Sequence, residues 1–228
     1  MTTAIDELKT SVLPNGDVSQ VEKRSMNEDA RRYAPAVARN REPILDVLRR
    51  HLPSRGLVLE VASGSGEHIT HFAGASGPDL IFQPSDLDSA ARASIDAWAT
   101  TLGLPNIRSA IALDAASECW PIQCADVVLC INMIHIAPWV AAVGLMRGAA
   151  GVLPLGGMLY LYGPFRRVGR HTAPSNAAFD QGLRMRDPAW GVRDLEAVVA
   201  VADAHGFTQP LIVQMPANNL SLVFRKGV

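Results

Sequence analysis

Residues 57–68, Leu-Val-Leu-Glu-Val-Ala-Ser-Gly-Ser-Gly-Glu-His, constrain the fold more than any other stretch of the chain. Leu57 to Val61 has the length and apolar content of a buried strand. Ser63 to Gly66 is a small-residue turn that lets backbone pass close to a ligand. From Glu67 on, Ile69, Phe72 and Ala73 fall on one helical face. A helix that starts behind a glycine turn presents free N–H groups and the positive end of its dipole, and so favours an anion. A dinucleotide fingerprint requires a third glycine where Ile69 stands, and a phosphate-binding P-loop requires a lysine that is missing. What remains is Glu-x-x-x-Gly-x-Gly, or a glycine turn in some other α/β protein.

The rest of the chain repeats the strand-and-helix rhythm. Residues 1–25 are polar, carry the turn signal Pro14-Asn15-Gly16-Asp17, and read as a flexible N-terminal extension. A helical pattern with Ile44, Leu45 and Leu48 on one face runs from about Asn27 to His51, with Pro43 expected to break it. Leu80 to Gln83 reads as a second strand, and Asp88 or Ser89 as the cap of a helix carrying Ile95, Trp98 and Leu102. Ile107 to Leu113 is expected as a third strand and Ala125 to Ile131 as a fourth. A helix follows from Pro138 to about Leu153, then a fifth strand from Met158 to Tyr162. Such alternation with short connections means βαβ units, a parallel sheet and helices on both faces. Residues 163–191 interrupt the rhythm as a polar segment rich in Arg, Pro and Gly, with a short helix near Phe179–Leu183. So long an irregular stretch in a compact domain suggests a lid. A helix from Val192 to His205 and strands Phe207–Gln214 and Leu220–Arg225 complete the chain, the last pair antiparallel.

Charge and cysteine content narrow the function classes. The 21 basic and 22 acidic residues nearly cancel, and no basic block is long enough to read as a nucleic-acid arm. The uncharged run Val127–Met146 contains Asn132, His135 and Pro138, and reads as strand plus helix rather than a membrane span. Three cysteines, Cys119, Cys124 and Cys130, without a secretory signal suggest a reducing cytoplasm. No second cysteine pair or carboxylate joins Cys119 and Cys124, or His68 and His71, at ligand spacing, so no metal is expected. The expected partner is a small molecule, with neither nucleic acid nor membrane, and a homodimer is left open.

Ligands of parallel sheets bind outside the carboxyl ends of the strands, where Asp86, Asp114 and Asn132 fall. A carboxylate about 20 residues past the glycines suits the two ribose hydroxyls of an adenosyl group, which assigns Asp86. Asp114 suits an adenine amino group, or else turn formation. Asn132 to His135 follows the fourth strand; His135 is either a base near the reacting group or a satisfied histidine at a helix entrance.

In that order, Glu60…Gly64-x-Gly66, Asp86, Asp114, Asn132 and Leu153-Pro154-Leu155-Gly156-Gly157 resemble the motifs of class I S-adenosylmethionine (SAM) methyltransferases. More narrowly, the chain resembles the methyltransferase-like protein 26 family. The phrases are Ala38-Arg39-Asn40-Arg41-Glu42-Pro43, Gln83-Pro84-Ser85-Asp86, Ser175-Asn176-x-x-Phe179-Asp180, Trp190-Gly191-x-Arg193-Asp194 and Met215-Pro216-Ala217-Asn218-Asn219. The resemblance implies a Rossmann-like three-layer sandwich with a seven-stranded, mostly parallel sheet whose last strand is antiparallel. It makes residues 26–228 one SAM-binding domain with a lid insertion at about 163–191. It also implies SAM as cofactor, yielding S-adenosylhomocysteine (SAH). Its cofactor-facing residues would be Asn40, Glu60, Ala62, Ser63, Gly64, Gly66, His68, Asp86, Asp114, Ala115, Asn132 and Met133.

The expected activity is methyl transfer to a small-molecule acceptor, with a SAM-binding module lacking turnover as the alternative. Because the sulfonium is already activated, the protein mainly positions the acceptor, an effect worth up to ~7–11 kcal/mol. His135 and His171 are the candidate bases, with Tyr33 as an orienting group. Tyr162, Arg166, Asn176, Trp190, Arg193 and Asn218 are the expected substrate contacts.

Overall fold

The computed structural model describes residues 29–227; the extension at 1–25 lies outside them. Six strands form one sheet in the order β2-β1-β3-β4-β8-β7. In chain order they are β1 (Gly56–Val61), β2 (Leu80–Pro84), β3 (Val127–Ile131), β4 (Met158–Pro164), β7 (Leu211–Met215) and β8 (Asn219–Arg225). Two-residue strands β5 (Arg166–Arg167) and β6 (Arg170–His171) pair separately as a hairpin. The helices are α1 (Val37–Leu48), α2 (Glu67–Gly74), α3 (Ser89–Leu102), α4 (Trp139–Val152), α5 (Pro174–Arg186) and α6 (Leu195–Ala204). Strands β1 to β4 are parallel to one another, while β8 runs antiparallel to both β4 and β7.

Alternation along the strands distributes the core. Val127, Leu129 and Ile131 of β3 join Ile44, Leu45, Ile69, Phe72 and Ile95 on the face covered by α1, α2 and α3. Val128 and Cys130 point the other way, into the layer with Leu145, Ala149, Val198 and Ala202 of α4 and α6. Between β4 and β8, the buried Tyr160 hydroxyl and Ser221 Oγ share a 2.6 Å hydrogen bond.

The sheet has six strands where seven were expected, and the missing one is Ile107–Leu113. That stretch lies along β2 but makes only two isolated bridges, Phe82↔Ile107 and Ser85↔Ile111. Pro84 has no N–H to donate to it. The register slips by one residue there: Arg108 N donates to the Phe82 carbonyl, but Ile111 N rather than residue 110 donates to the Pro84 carbonyl. Side chains fill the gap, with Gln83 Nε2 donating to the Ser109 carbonyl and Ala110 N donating to Asp96 Oδ1. The element is a bulged edge rather than a strand.

Three other expectations change. The first helix occupies 37–48 rather than 27–51; Asn27 lies outside the described residues, and 29–36 is a strap without regular secondary structure that ends in a turn at Pro35–Ala36. Arg32 N donates to Ser94 Oγ, Ala34 N to Glu67 Oε2, and Trp98 Nε1 to the Arg32 carbonyl, which ties the strap across α2 and α3. Pro43 does not break α1, whose buried Val37, Ile44, Leu45, Val47 and Leu48 hold the helix on the sheet through the proline. Residues 163–191 are not irregular. They contain the end of β4, the β5–β6 hairpin and the 13-residue α5. The hairpin turns through Val168 and Gly169 at φ +48 and +73, a two-residue turn of the left-handed kind. Its N–H groups donate to Glu196 Oε2 and Asp194 Oδ2.

No helix among the described residues is long and apolar enough to cross a membrane. None of their His, Cys, Asp and Glu side chains forms a group that could hold a metal ion.

Candidate functional site

The carboxyl ends of β1, β2, β3 and β4, together with the start of β8, meet at one edge of the sheet. The register fixes this, pairing Glu60 with Pro84, Val61 with Cys130, Ile131 with Tyr162 and Pro164 with Asn219. Three of the chain turns at this edge depart from ordinary backbone geometry. Ala62, Gly64 and Gly66 all have positive φ after β1, as does Asn132 after β3, and Ala217 and Asn218 before β8. Left-handed backbone is costly for a residue with a Cβ, so its clustering at one edge marks a working site.

The glycine loop is held from below and open above. Ser63 N donates to the Ser85 carbonyl and Ser85 Oγ donates to the Glu60 carbonyl, which lock the loop to the end of β2. A Cβ on Gly66 would stand 2.7 Å from the Ile95 Cα, so α2 and α3 touch there only because it is glycine. A Cβ on Gly64 would meet nothing within 4 Å. Asp86 lies beside it, accepting from Gly64 N at 2.9 Å and from Asp88 N at 2.9 Å. The Glu60 side chain is fully buried behind the loop and its Oε2 has no partner. Burial raises its pKa to about 7, with the Asp86 charge adding to the rise and a Ser63 hydrogen bond opposing it.

A cavity of about 670 Å³ opens at the same edge of the sheet. Ala36, Arg39 and Asn40 of the strap and α1 line one side, and Asn132 and Ile136 after β3 line another. Tyr162 and Pro164 at the end of β4, Ser175, Asn176 and Phe179 of α5, and Pro216, Ala217 and Asn219 before and at the start of β8 complete the lining. The volume lies within the 300–1,000 Å³ range of small-molecule sites. Asn40 is oriented by His68, whose Nε2 lies 2.8 Å from Asn40 Oδ1. Burial lowers the His68 pKa to about 4, so the ring is neutral and its Nε2–H donates to the amide oxygen. Asn176 Nδ2 donates to Thr172 Oγ1 and to the Asn218 carbonyl, which pins α5 to the turn before β8.

The structure brings together many of the residues singled out in the sequence. Glu60, Ala62, Ser63, Gly64, Gly66 and Asp86 share the loop edge, and Asn40, Asn132, Tyr162 and Asn176 line the cavity. Met133 and Ala115 are buried in the core beside it. Asp114 is exposed and accepts from Ala116 N, the turn chemistry that was its alternative.

Other residues are engaged elsewhere. Tyr33 is exposed on the outer surface, edge-on to Trp98 at 5.1 Å. His135 has no accessible surface; its Nδ1 accepts from Arg193 N at 3.3 Å and its ring packs on Phe165. Burial, reinforced by the Arg193 charge, lowers its pKa to about 3. His171 sits 3.3 Å from Asp180, which also accepts from Arg184 and from Val192 N, so it belongs to the contacts fixing α5. The Arg193 guanidinium donates to the carbonyls of Ile134, Ala137 and Ala189 and stacks over Trp139. Arg166 lies 3.9 Å from Asp194 on the hairpin. Trp190 closes a turn with Asp187, and Asn218 lies behind the cavity wall with its amide on Ser175 Oγ. Arg39, Phe179 and Asn219 line the cavity although the reading by motif did not assign them. Arg39 lies on α1 directly before Asn40.

The fold is shared with many solved SAM-dependent O-methyltransferases of the class I fold. An O-methyltransferase family protein from Burkholderia thailandensis is 20% identical, with a TM-score of 0.70 over 84% of this chain and 57% of that one. Human N-acetylserotonin methyltransferase, solved in complex with SAM, is 14% identical, with a TM-score of 0.68 over 85% of this chain and 53% of that one. The chain thus spans a little over half the length of these proteins. A candidate methyltransferase from Bacillus halodurans is 15% identical, with a TM-score of 0.63 over 81% of this chain and 99% of that one. At such identities the likeness establishes the fold alone. A family model matches residues 31–226, from the strap to the end of the sheet, and the chain belongs to that family, described as a protein of unknown function (DUF938).

Proposed function

We propose that the protein transfers a methyl group from SAM to a small molecule held in the 670 Å³ cavity. The observation that carries this reading is that the open glycine loop and the cavity share the carboxyl edge of the sheet, the loop following β1 and the cavity-lining Asn132 following β3, which pairs with β1. The residues fit the cofactor. Gly64 leaves open space where a side chain would project, Asp86 stands next to it, and the unpartnered Glu60 oxygen suits a cationic ammonium. In this reading Asp86 receives the ribose hydroxyls and Asn40 and Asn132 border the methyl's exit. SAM supplies a methyl already activated on sulfonium. The protein's part is positioning: Tyr162 and Asn176 orient the acceptor, and Phe179 with α5 shields it from water. The segment at 163–191 then acts as the lid. The narrower likeness to the methyltransferase-like protein 26 family belongs to the same reading, as does a cytoplasmic setting.

Isothermal calorimetry tests it: SAM and SAH should bind, and Asp86→Ala should weaken both at least about tenfold, since a lost charge-assisted hydrogen bond costs ~1.5–3 kcal/mol. Absence of binding to the unaltered protein would sink the proposal. A second reading, a SAM-binding module without turnover, is favoured by the complete burial of His135, which is absent from the cavity wall. Label moving from SAM into a small-molecule extract, and abolished by Gly64→Arg, would exclude it.

A further inference from the structure

The cavity contains an unusual balance of charge. Arg39 is the one formally charged residue in its wall, and the lining holds no Asp, Glu, His, Lys or Cys among the described residues. The ion pairs of the described residues engage Arg31, Arg32, Arg49, Arg166 and Arg184, and leave the Arg39 guanidinium out. The rest of the wall is apolar, through Ile136, Phe179 and Pro216, or neutral and hydrogen-bonding, through Asn132, Asn176 and Tyr162.

Removing a proton from an alcohol or phenol acceptor requires a base within hydrogen-bond reach or one water away. None of the histidines nearest the cavity offers it a free lone pair in the neutral ring: with His135 Nδ1 accepting from Arg193 N, the ring proton sits on the unpartnered Nε2. His135 is wholly buried and accepts a backbone N–H, His68 donates to Asn40 behind the wall, and His171 is paired with Asp180. Burial holds His135 and His68 neutral at low pKa values, about 3 and about 4, which makes both weak bases. Burial also pushes the Tyr162 phenol up, so it stays a hydrogen-bonding group rather than a base.

Resting on the proposed function, we infer that the acceptor is a compact organic anion with an apolar body, a carboxylate or thiolate, whose charge is met by Arg39. Such an acceptor arrives without the proton that the site cannot remove. Its lone pair forms the bond to the methyl carbon while the carbon–sulfur bond breaks and that pair returns to sulfur. An anion and a sulfonium thereby become two neutral groups, and no proton has to leave. A planar guanidinium suits a carboxylate through paired hydrogen bonds, and the apolar wall weakens competition from water.

The test uses the full chain saturated with SAH. Phenylacetate, benzenethiolate and the neutral phenylacetamide are titrated against the unaltered protein, Arg39→Gln and Arg39→Lys. At least one anion should bind at least about tenfold tighter than the amide. Arg39→Gln should erase that preference while leaving SAH affinity unchanged, and Arg39→Lys should keep part of it. Equal binding of anions and amide overturns the inference and leaves the methyltransferase reading standing. So does a tenfold loss of SAH affinity in Arg39→Gln, because the arginine would then hold the amino-acid carboxylate of SAH itself. Failure of the unaltered protein to bind SAH overturns both. In turnover with extract, a methyl ester or S-methyl product identified by NMR supports the inference, and the methyl ether of an alcohol or phenol overturns it.

Discussion

Glu60 keeps a carboxyl fully buried at the end of β1 with a pKa raised by burial to about 7. The folded protein therefore holds a proton that the unfolded chain releases from about pH 4.5 upward. Stability contributed in the protonated form is lost as pH rises towards 7, by up to about 3 kcal/mol. His68 and His135 act in the opposite sense. Their pKa values are depressed, so the folded state binds fewer protons and loses stability as pH falls below about 6.5. Urea unfolding across pH 5 to 8 should show Glu60→Gln gaining about 3 kcal/mol relative to the unaltered protein towards the alkaline end. The two glycines should also separate. Gly66→Ala adds a clash at Ile95 to backbone strain at φ +89, for a loss of about 2–4 kcal/mol. Gly64→Ala meets only the strain of φ +60 and should cost about 1–2 kcal/mol in the same measurement. Glu60, Gly64, Gly66 and Asp86 were readable because their spacing is local. The fate of His135 was not, because Phe165 and Arg193, which bury and bond it, are distant in sequence.

At the level of elements, the sequence was clear wherever the buried face is apolar and misleading where it is polar. The buried residues of α5 are Asn176, Asp180 and Leu183, at helical spacing but two-thirds polar, so the sequence pattern marks only a short helix near 179–183 and misses its full extent from Pro174 to Arg186. Asp180 does the work that an apolar residue usually does, accepting from Val192 N at 2.7 Å and from Arg184 at 3.1 Å. Asp180→Ala should leave a buried N–H unsatisfied and destabilise α5 by about 1–3 kcal/mol. Hydrogen exchange should show faster exchange in 174–192 with little change in α4. The start of α3 is a contrasting case, because Asp88 caps it through Ala90 N as its spacing predicts. Asp88→Ala should cost about 1 kcal/mol, almost all from the cap, since the ion pair with Arg32 is half exposed on both sides. The seventh strand failed for a reason visible in the chain, Pro84, but visible only once β2 is known to lie beside residues 107–111.

The whole molecule places ordinary parts around an extraordinary edge. Two apolar layers hold the sheet, and its carboxyl end gathers the strained turns, the buried acid and the cavity. A ligand that binds only the folded state stabilises it by about 2.7 kcal/mol at a hundred times its dissociation constant. SAH at that excess should therefore raise the unfolding midpoint of the unaltered protein and leave Gly64→Arg unmoved, as thermal scans with and without ligand would show. The order of strands carries one more consequence. β8 is inserted between β4 and β7, yet it is the last strand of the described residues. On the ribosome, all other strands emerge before the one that covers the fully buried β4. Until residues 219–225 leave the exit tunnel, the nascent chain carries an open apolar sheet edge of the kind that recruits other chains. Productive folding therefore depends on how soon 219–225 pair with β4, and the longer that edge stays open the more of the protein is lost to aggregation.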